Sequence, residues 1–309
     1  MAFFEFSIAI GFSLFALGLL VGTIAPTFGI GGGLLNVPLL LLIYSDILGL
    51  DTFTATSTSL GIIFFTALSG TLSYVREKRI DYRIAFSFVV FAVPGAIAGS
   101  ILSKWLTEKN YELDILQIIF AATMITIALY KITTIFIAKY KKNNNKEEII
   151  LVEDTQEDKP WWKQTVLVRE LVDRHGNVHK YKAKLVPGVF IAVFGGFAGG
   201  MLGLGGGVVF MPILTMALGI PAAIAAATST LTILIANPFA IGTRIVAGGW
   251  GVVRWDIVVI WALGTVIAAN IVPRYIHKIK SEWILTGFWL LAVAAAVRLL
   301  IKVLTGIAI

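Results

Sequence analysis

Two five-residue runs stand out for the chemistry their backbone can do. Gly29-Ile30-Gly31-Gly32-Gly33 is followed by Pro38, and Gly203-Leu204-Gly205-Gly206-Gly207 by Pro212, at the same spacing. Glycine at this density lets the chain leave a helix, so that unpaired N–H groups can face a ligand. A helix restarting after the break adds free donors and a partial positive charge, which suit an anion. Gly31, Gly32, Gly33, Gly205, Gly206 and Gly207 are therefore candidate substrate contacts. Close helix packing is the competing explanation, since small residues line helix contacts in membranes. Neither run is followed by the Lys-Ser/Thr of a nucleotide loop, and no βαβ unit surrounds them.

Hydroxyls recur in the same way. Ala55-Thr56-Ser57-Thr58 returns as Ala227-Thr228-Ser229-Thr230. Thr56, Ser57, Thr58, Thr228, Ser229 and Thr230 can donate to sulfonate or carboxylate oxygens without burying a charge. Their competing use is a bond back to the preceding helical turn. Asn36 and Asn237 are amides inside apolar stretches, and neither has a counterpart in the other copy, where Phe210 and Phe65 stand. Such asymmetry fits a substrate that lacks two-fold symmetry; an interhelical hydrogen bond is the alternative. Arg244 is the most deeply embedded base. Its place near a helix end favours snorkelling to the interface, with attraction of the anion as the other reading. Arg298 is a weaker case of the same kind.

The absences limit the chemistry. No Asp, Glu or His lies deep in an apolar run, so an intramembrane carboxylate relay for coupling is not expected. An intramembrane hydrolase would need a base beside its nucleophile, and a metal enzyme a ligand cluster; neither pattern is present. His175 and His179 lack a third partner for a metal. The expectation is no enzyme, no metal and no cofactor.

These residues must be positioned by helices in a bilayer. The chain has 309 residues, 58% hydrophobic and 14% charged, with no cysteine. Nineteen of its 43 charged residues lie between Lys139 and Lys184, which leaves the rest too poor in charge for a soluble surface. Apolar runs long enough to span occur at 6–25, 54–75, 84–103, 113–137, 222–246, 256–273 and 283–303. The stretches 30–50 and 187–219 are apolar but broken by glycines and proline. Ten spans result if the broken segments cross, and eight if they dip in and return. Arg76, Lys78, Arg79 and Arg83 place the loop 76–83 in the cytoplasm, and Arg274, Lys278 and Lys280 place 274–281 there too. Both termini then lie outside. The net charge of +7 thus reports loop orientation and not a nucleic-acid partner. The N-terminus lacks the basic start of a cleaved signal peptide, so the first run is expected to stay as a membrane helix.

The repeated motifs, with Gly70-Thr71 against Gly242-Thr243 and Asp81 against Asp256, indicate a duplicated chain. The expected fold is all-α and polytopic, with two inverted repeats of about five helices and the glycine breaks at the midplane. Its parts are an N-terminal repeat (1–138), a charged cytoplasmic linker (139–185) and a C-terminal repeat (186–309). Within the linker, alternation over Val166–Leu185 around His175-Gly176-Asn177 predicts a small β-hairpin. Trp161 and Trp162 suit the membrane interface.

The paired glycine and Ala-Thr-Ser-Thr motifs resemble the TauE/SafE sulfite-exporter family, as do Asp81 and Val93-Pro94-Gly95-Ala96 with Gly99. The resemblance covers roughly 6–137 and 187–303. It implies a multi-pass cell-membrane permease that moves a sulfur-containing anion such as sulfite, sulfoacetate or a related organosulfonate, usually outward. Another small organic anion and import of a sulfur compound are the alternatives. A membrane enzyme or a scaffold acting through the linker ranks lower. The expected partners are the anion, the lipid bilayer and a second copy in a homodimer. The long charged linker is a departure from the family pattern.

Overall fold

The computed structural model describes residues 8–28, 33–108, 166–174, 176, 178–212, 214–215 and 218–271, with single residues at 118, 122, 126 and 297. Apart from those single residues the expected spans 113–137 and 283–303 lie outside this set, as do most of the linker with Trp161, Trp162 and His175, and Gly31, Gly32 and Arg298.

Apolar runs become helices because a backbone away from water must satisfy its own hydrogen bonds. In chain order these are α1 (Ile8–Phe28), α2 (Gly33–Leu48), α3 (Thr52–Arg76) and α4 (Tyr82–Glu108). After the linker come α5 (Leu185–Leu202), α6 (Gly207–Pro212), α7 (Ala222–Gly248), a 3-10 turn (Trp250–Val252) and α8 (Trp255–Ile271). Helices α3, α4 and α7 are long and apolar enough to cross a membrane. Asp51 caps α3, its carboxylate accepting from the Phe53 and Thr54 N–H groups (3.2 and 3.4 Å), and Arg76 complements the dipole in the last turn. Asp81 caps α4 in the same way, accepting from the Arg83 and Ile84 N–H groups.

Both glycine-broken stretches restart as helix at the last glycine of the run. Over 30–50 the chain forms one helix from Gly33 that continues through Pro38. Helix α6 starts in the same way at Gly207, and Pro212 is its sixth residue as Pro38 is that of α2.

Two glycine seams hold the bundle. Gly18 and Gly22 of α1 lie on the backbone of Trp261, Gly264 and Thr265 in α8. Gly95 and Gly99 of α4 lie on the α5 backbone at Val193 and Phe197, while Gly196 and Gly200 of α5 lie on Ala92 and Ala96. A Cβ at any of these would strike a carbonyl, so the four-residue spacing sets backbone-to-backbone contact. Helices α3 and α7 run antiparallel: Arg244 meets Thr56 near one end, and Gly70 faces Thr230 near the other. Helix α4 also packs on α7, and α3 on α8.

The predicted hairpin forms. Strands β1 (Val166–Val172) and β2 (Val178–Lys184) pair antiparallel, from Val166 opposite Lys184 to Val172 opposite Val178. Gly176 has φ +80°, as a tight reversal there requires. The hairpin rests on the α3–α4 loop, where the Arg174 N–H donates to the Glu77 carbonyl (3.0 Å).

Candidate anion-binding site

The site begins in the first turns of α3. Thr56 donates its hydroxyl proton to the Thr52 and Phe53 carbonyls (2.8 and 3.0 Å), and Ser57 donates to Phe53 (2.6 Å). With the protons committed to the previous turn, the hydroxyl lone pairs face inward as acceptors. Arg244 occupies them. Its Nη1 donates to Thr56 Oγ1 (2.7 Å), Ser57 Oγ (2.8 Å) and the Phe53 carbonyl (3.3 Å). Its Nη2 donates to Ser103 Oγ (3.2 Å) and to the Gly200 and Met201 carbonyls (2.7 and 2.9 Å). The Phe53 ring lies 4.9 Å from the guanidinium, in the geometry of a cation–π contact.

Snorkelling is thus corrected. Arg244 is 0% exposed and points into the bundle. The last carbonyls of α5 have no intrahelical partner, and they offer the guanidinium more than a distant interface would. Every group that accepts a hydrogen bond from it is neutral. Among the described residues no carboxylate pairs with Arg244, and its Nε–H has no hydrogen-bond partner. A buried cation held only by dipoles is an electrostatically incomplete arrangement that an oxyanion completes.

The second glycine run wraps around α3. Gly203, Gly205 and Gly206 all have positive φ (+69°, +68° and +74°), and Gly207 opens α6. Gly203 lies against the Thr56 backbone and Gly205 against Ile63. Gly33, from the first run, abuts the Leu204 carbonyl, so the two runs meet. The polar contacts seen here use carbonyls: Gly200 and Met201 accept from Arg244, and Gly203 accepts from Ser59 (2.8 Å).

The two hydroxyl clusters serve opposite ends of the bundle. Thr228 accepts from the Asp81 N–H (3.1 Å), beside the α3–α4 loop. Ser229 and Thr230 donate to the Ala226 carbonyl (3.0 and 2.7 Å). Thr58, from the first cluster, accepts from the Arg254 N–H (3.1 Å) at the start of α8. Only Thr56 and Ser57 of the six join Arg244. Asn237 donates to the Leu60 carbonyl (3.0 Å), the interhelical bond that was its alternative reading.

Asn36 is 0% exposed, yet among the described residues neither its Nδ2 nor its Oδ1 has a partner. It lies one turn from Gly33 on the same side of α2, the side turned to the second glycine run. Leaving both groups dry costs on the order of 1–3 kcal/mol each. Asn36→Leu should therefore raise the unfolding temperature in detergent while lowering transport; unchanged transport would remove Asn36 from the site.

Ser103, Phe53 and Ser59 join the site without prior notice. The one sequence signal is that Ser103 is among the few aliphatic hydroxyls of apolar α4, with Ser87, Ser100 and Thr107.

The family model of the sulfite exporter TauE/SafE matches residues 14–299. The chain belongs to that family. Within TauE/SafE, it is 29% identical to the probable membrane transporter protein YunE of Bacillus subtilis over 227 residues, 72% of this chain and 74% of that one. It is 26% identical to the probable membrane transporter protein MJ0441 of Methanocaldococcus jannaschii over 206 residues, covering 66% and 61%. A probable membrane transporter protein of Xylella fastidiosa is 32% identical over 117 residues, 38% of this chain and 42% of the relative. No solved structure matches. A TauE/SafE chain with several apolar helices is a membrane transporter, and the Arg244 cluster is its candidate site.

Proposed function

We propose that the protein carries a sulfur-containing anion, such as sulfite, sulfoacetate or a related organosulfonate, outward across the plasma membrane. The carrying observation is Arg244, a fully buried guanidinium with neutral acceptors around it and no carboxylate paired with it among the described residues. An oxyanion exchanges with one or more of these acceptors and supplies the missing counter-charge. The free Nε–H is its first donor, and Asn36 offers a second amide near the glycine runs. In this reading the chain is multi-pass, built from two halves of opposite orientation. Support comes from the antiparallel crossing of α3 and α7 and from the exchanged packing of α1 on α8 and α5 on α4.

The test is flux in liposomes holding the purified protein. Sulfite, sulfoacetate, taurine, thiosulfate and lactate are compared, with empty liposomes as the baseline. Saturable movement of sulfite or sulfoacetate is the expected result. Selective lactate flux would move the assignment to organic anions, and no flux of any would overturn the proposal.

A further inference from the structure

The repeat carries an Arg-x-Asp at the start of each later helix: Arg79-Ile80-Asp81 before α4, and Arg254-Trp255-Asp256 at α8. At α8 the arginine folds back on its own aspartate, with Nε and Nη2 donating to both Asp256 oxygens (3.0 Å to Oδ1; 3.3 and 2.7 Å to Oδ2). At α4 that pairing is broken by the hairpin. Arg79 reaches away to Asp173 of the hairpin (3.4 Å). Asp81 takes its guanidinium from Arg169 of β1 instead, through Nε to Oδ2 (3.0 Å) and Nη2 to Oδ1 (3.2 Å). Tyr181 of β2 adds its hydroxyl to Oδ2 (2.6 Å). The hairpin has exchanged partners with the loop.

Asp81 is where this exchange matters. It is 1% exposed, caps α4 with its side chain, and donates its own N–H to Thr228 of α7. Burial pushes its carboxyl upward, but the hydrogen bonds from Arg169 and Tyr181 and the charge of Arg169 hold it below the ordinary carboxylate range. The pair is therefore ionic at neutral pH. Tyr181 is 6% exposed and belongs to the buried apolar cluster that includes Ile84, Phe88 and Ile224, so the hairpin is seated in the core as well as hydrogen-bonded to it.

We infer that the hairpin is a gate at this end of the transporter, latched by Arg169 and Tyr181 onto Asp81. With the latch made, the start of α4 is held to Thr228 and the polar face of α7 behind it is closed. When the hairpin leaves, Arg79 takes Asp81 as Arg254 takes Asp256, so no buried carboxylate is stranded. The hairpin thus switches between two satisfied arrangements, which is what a reversible device requires. The basic residues of the 76–83 loop assign this end to the cytoplasm.

The absence of cysteine makes the test direct. Thr232 is fully buried one turn beyond Thr228, and its hydroxyl donates to the Thr228 carbonyl (3.0 Å). In the full chain reconstituted in vesicles, Thr232→Cys provides a single thiol whose alkylation by a water-soluble maleimide reports opening. Arg169→Gln with Tyr181→Phe should raise the alkylation rate at position 232 by about tenfold, since a charged pair and a buried hydrogen bond are lost together. Glu77→Cys with Arg174→Cys then joins the hairpin to the loop where their backbones already touch. Oxidised to a disulfide in the same weakened background, it should restore slow labelling at position 232, and reduction should release it, with the alkylated site read by peptide mass spectrometry because the thiols at positions 77 and 174 then react as well. Restoration distinguishes an opened gate from a misfolded protein. Equal rates in the latched and weakened chains, or fast labelling that the disulfide leaves unchanged, would overturn the gate. The readout needs no substrate, so its failure is separable from failure of the anion assignment.

Discussion

Arg244→Gln is expected to abolish anion flux while the protein still inserts and elutes as a folded species. Glutamine keeps a side chain of similar length that can bond some of the same acceptors, but removes the charge. A hydrogen bond to a charged group contributes about 1.5–3 kcal/mol, so losing it on an anion weakens binding by roughly 10- to 100-fold. Further loss comes from the desolvated surroundings, where nothing else carries positive charge among the residues that touch Arg244. Arg244→Lys is the informative companion. It restores the charge but not the planar fork that reaches Thr56 and Ser57 through one nitrogen and Ser103 with the Gly200 and Met201 carbonyls through the other. An intermediate flux, roughly tenfold below the parent, is expected from that loss of geometry. Arg244→Leu separates structure from function differently, because it strands the Gly200 and Met201 carbonyls and should lower the unfolding temperature. If Arg244→Gln transports at the parental rate, the guanidinium is a brace between α3, α4, α5 and α7 and the anion binds elsewhere.

Gly203→Val should produce little or no folded protein. Its φ of +69° is the left-handed region, which costs an L-residue roughly 1–2 kcal/mol and a β-branched one more. The space is closed as well: a Cβ there would fall 2.5–2.7 Å from the Thr56 carbonyl, Cα and Cβ. Since Thr56 is backbone in a long buried helix, it cannot turn aside as a side-chain tip would. The two effects add to several kcal/mol, about the whole margin of many folded domains. Gly49→Ala isolates the first effect, because Gly49 has φ +61° and open space around it. It should lower the unfolding temperature only slightly. Comparable losses in both would show that the close approach to Thr56 is unimportant.

The sequence announces the helices well where length and apolarity coincide. The expected runs 54–75, 84–103, 222–246 and 256–273 lie within two residues of α3, α7 and α8 and within five of α4. The hairpin was legible from alternation about one turn signal. Burial of both hydroxyl clusters was legible from their setting, but not their division between the two ends of the bundle. That division depends on α3 and α7 running antiparallel, a tertiary fact with no local signature. Arg244 is misleading in sequence for a related reason. Four residues from a helix end it reads as a side chain with water in reach, yet α5 delivers two unpaired carbonyls to it from across the bundle. Arg169, Tyr181 and Asp81 are separated by long stretches of chain, so no spacing rule joins them.

The glycine seams constrain how the molecule can move. Each seam fastens a helix that precedes a glycine run to the last described helix of the opposite half, α1 to α8 and α5 to α4. Backbones in direct contact interlock through their own carbonyls and cannot slide past one another as longer side chains allow. The halves are clasped like folded hands, and a rocking of one whole half against the other would tear both grips. The stiff pieces of the machine are therefore mixed pairs, each drawn from both sides of the linker. Relative motion is left to the contacts between pairs, along α3 and α7, where hydroxyls and one amide make exchangeable bonds. Moving parts of this kind would not coincide with the two halves proposed above.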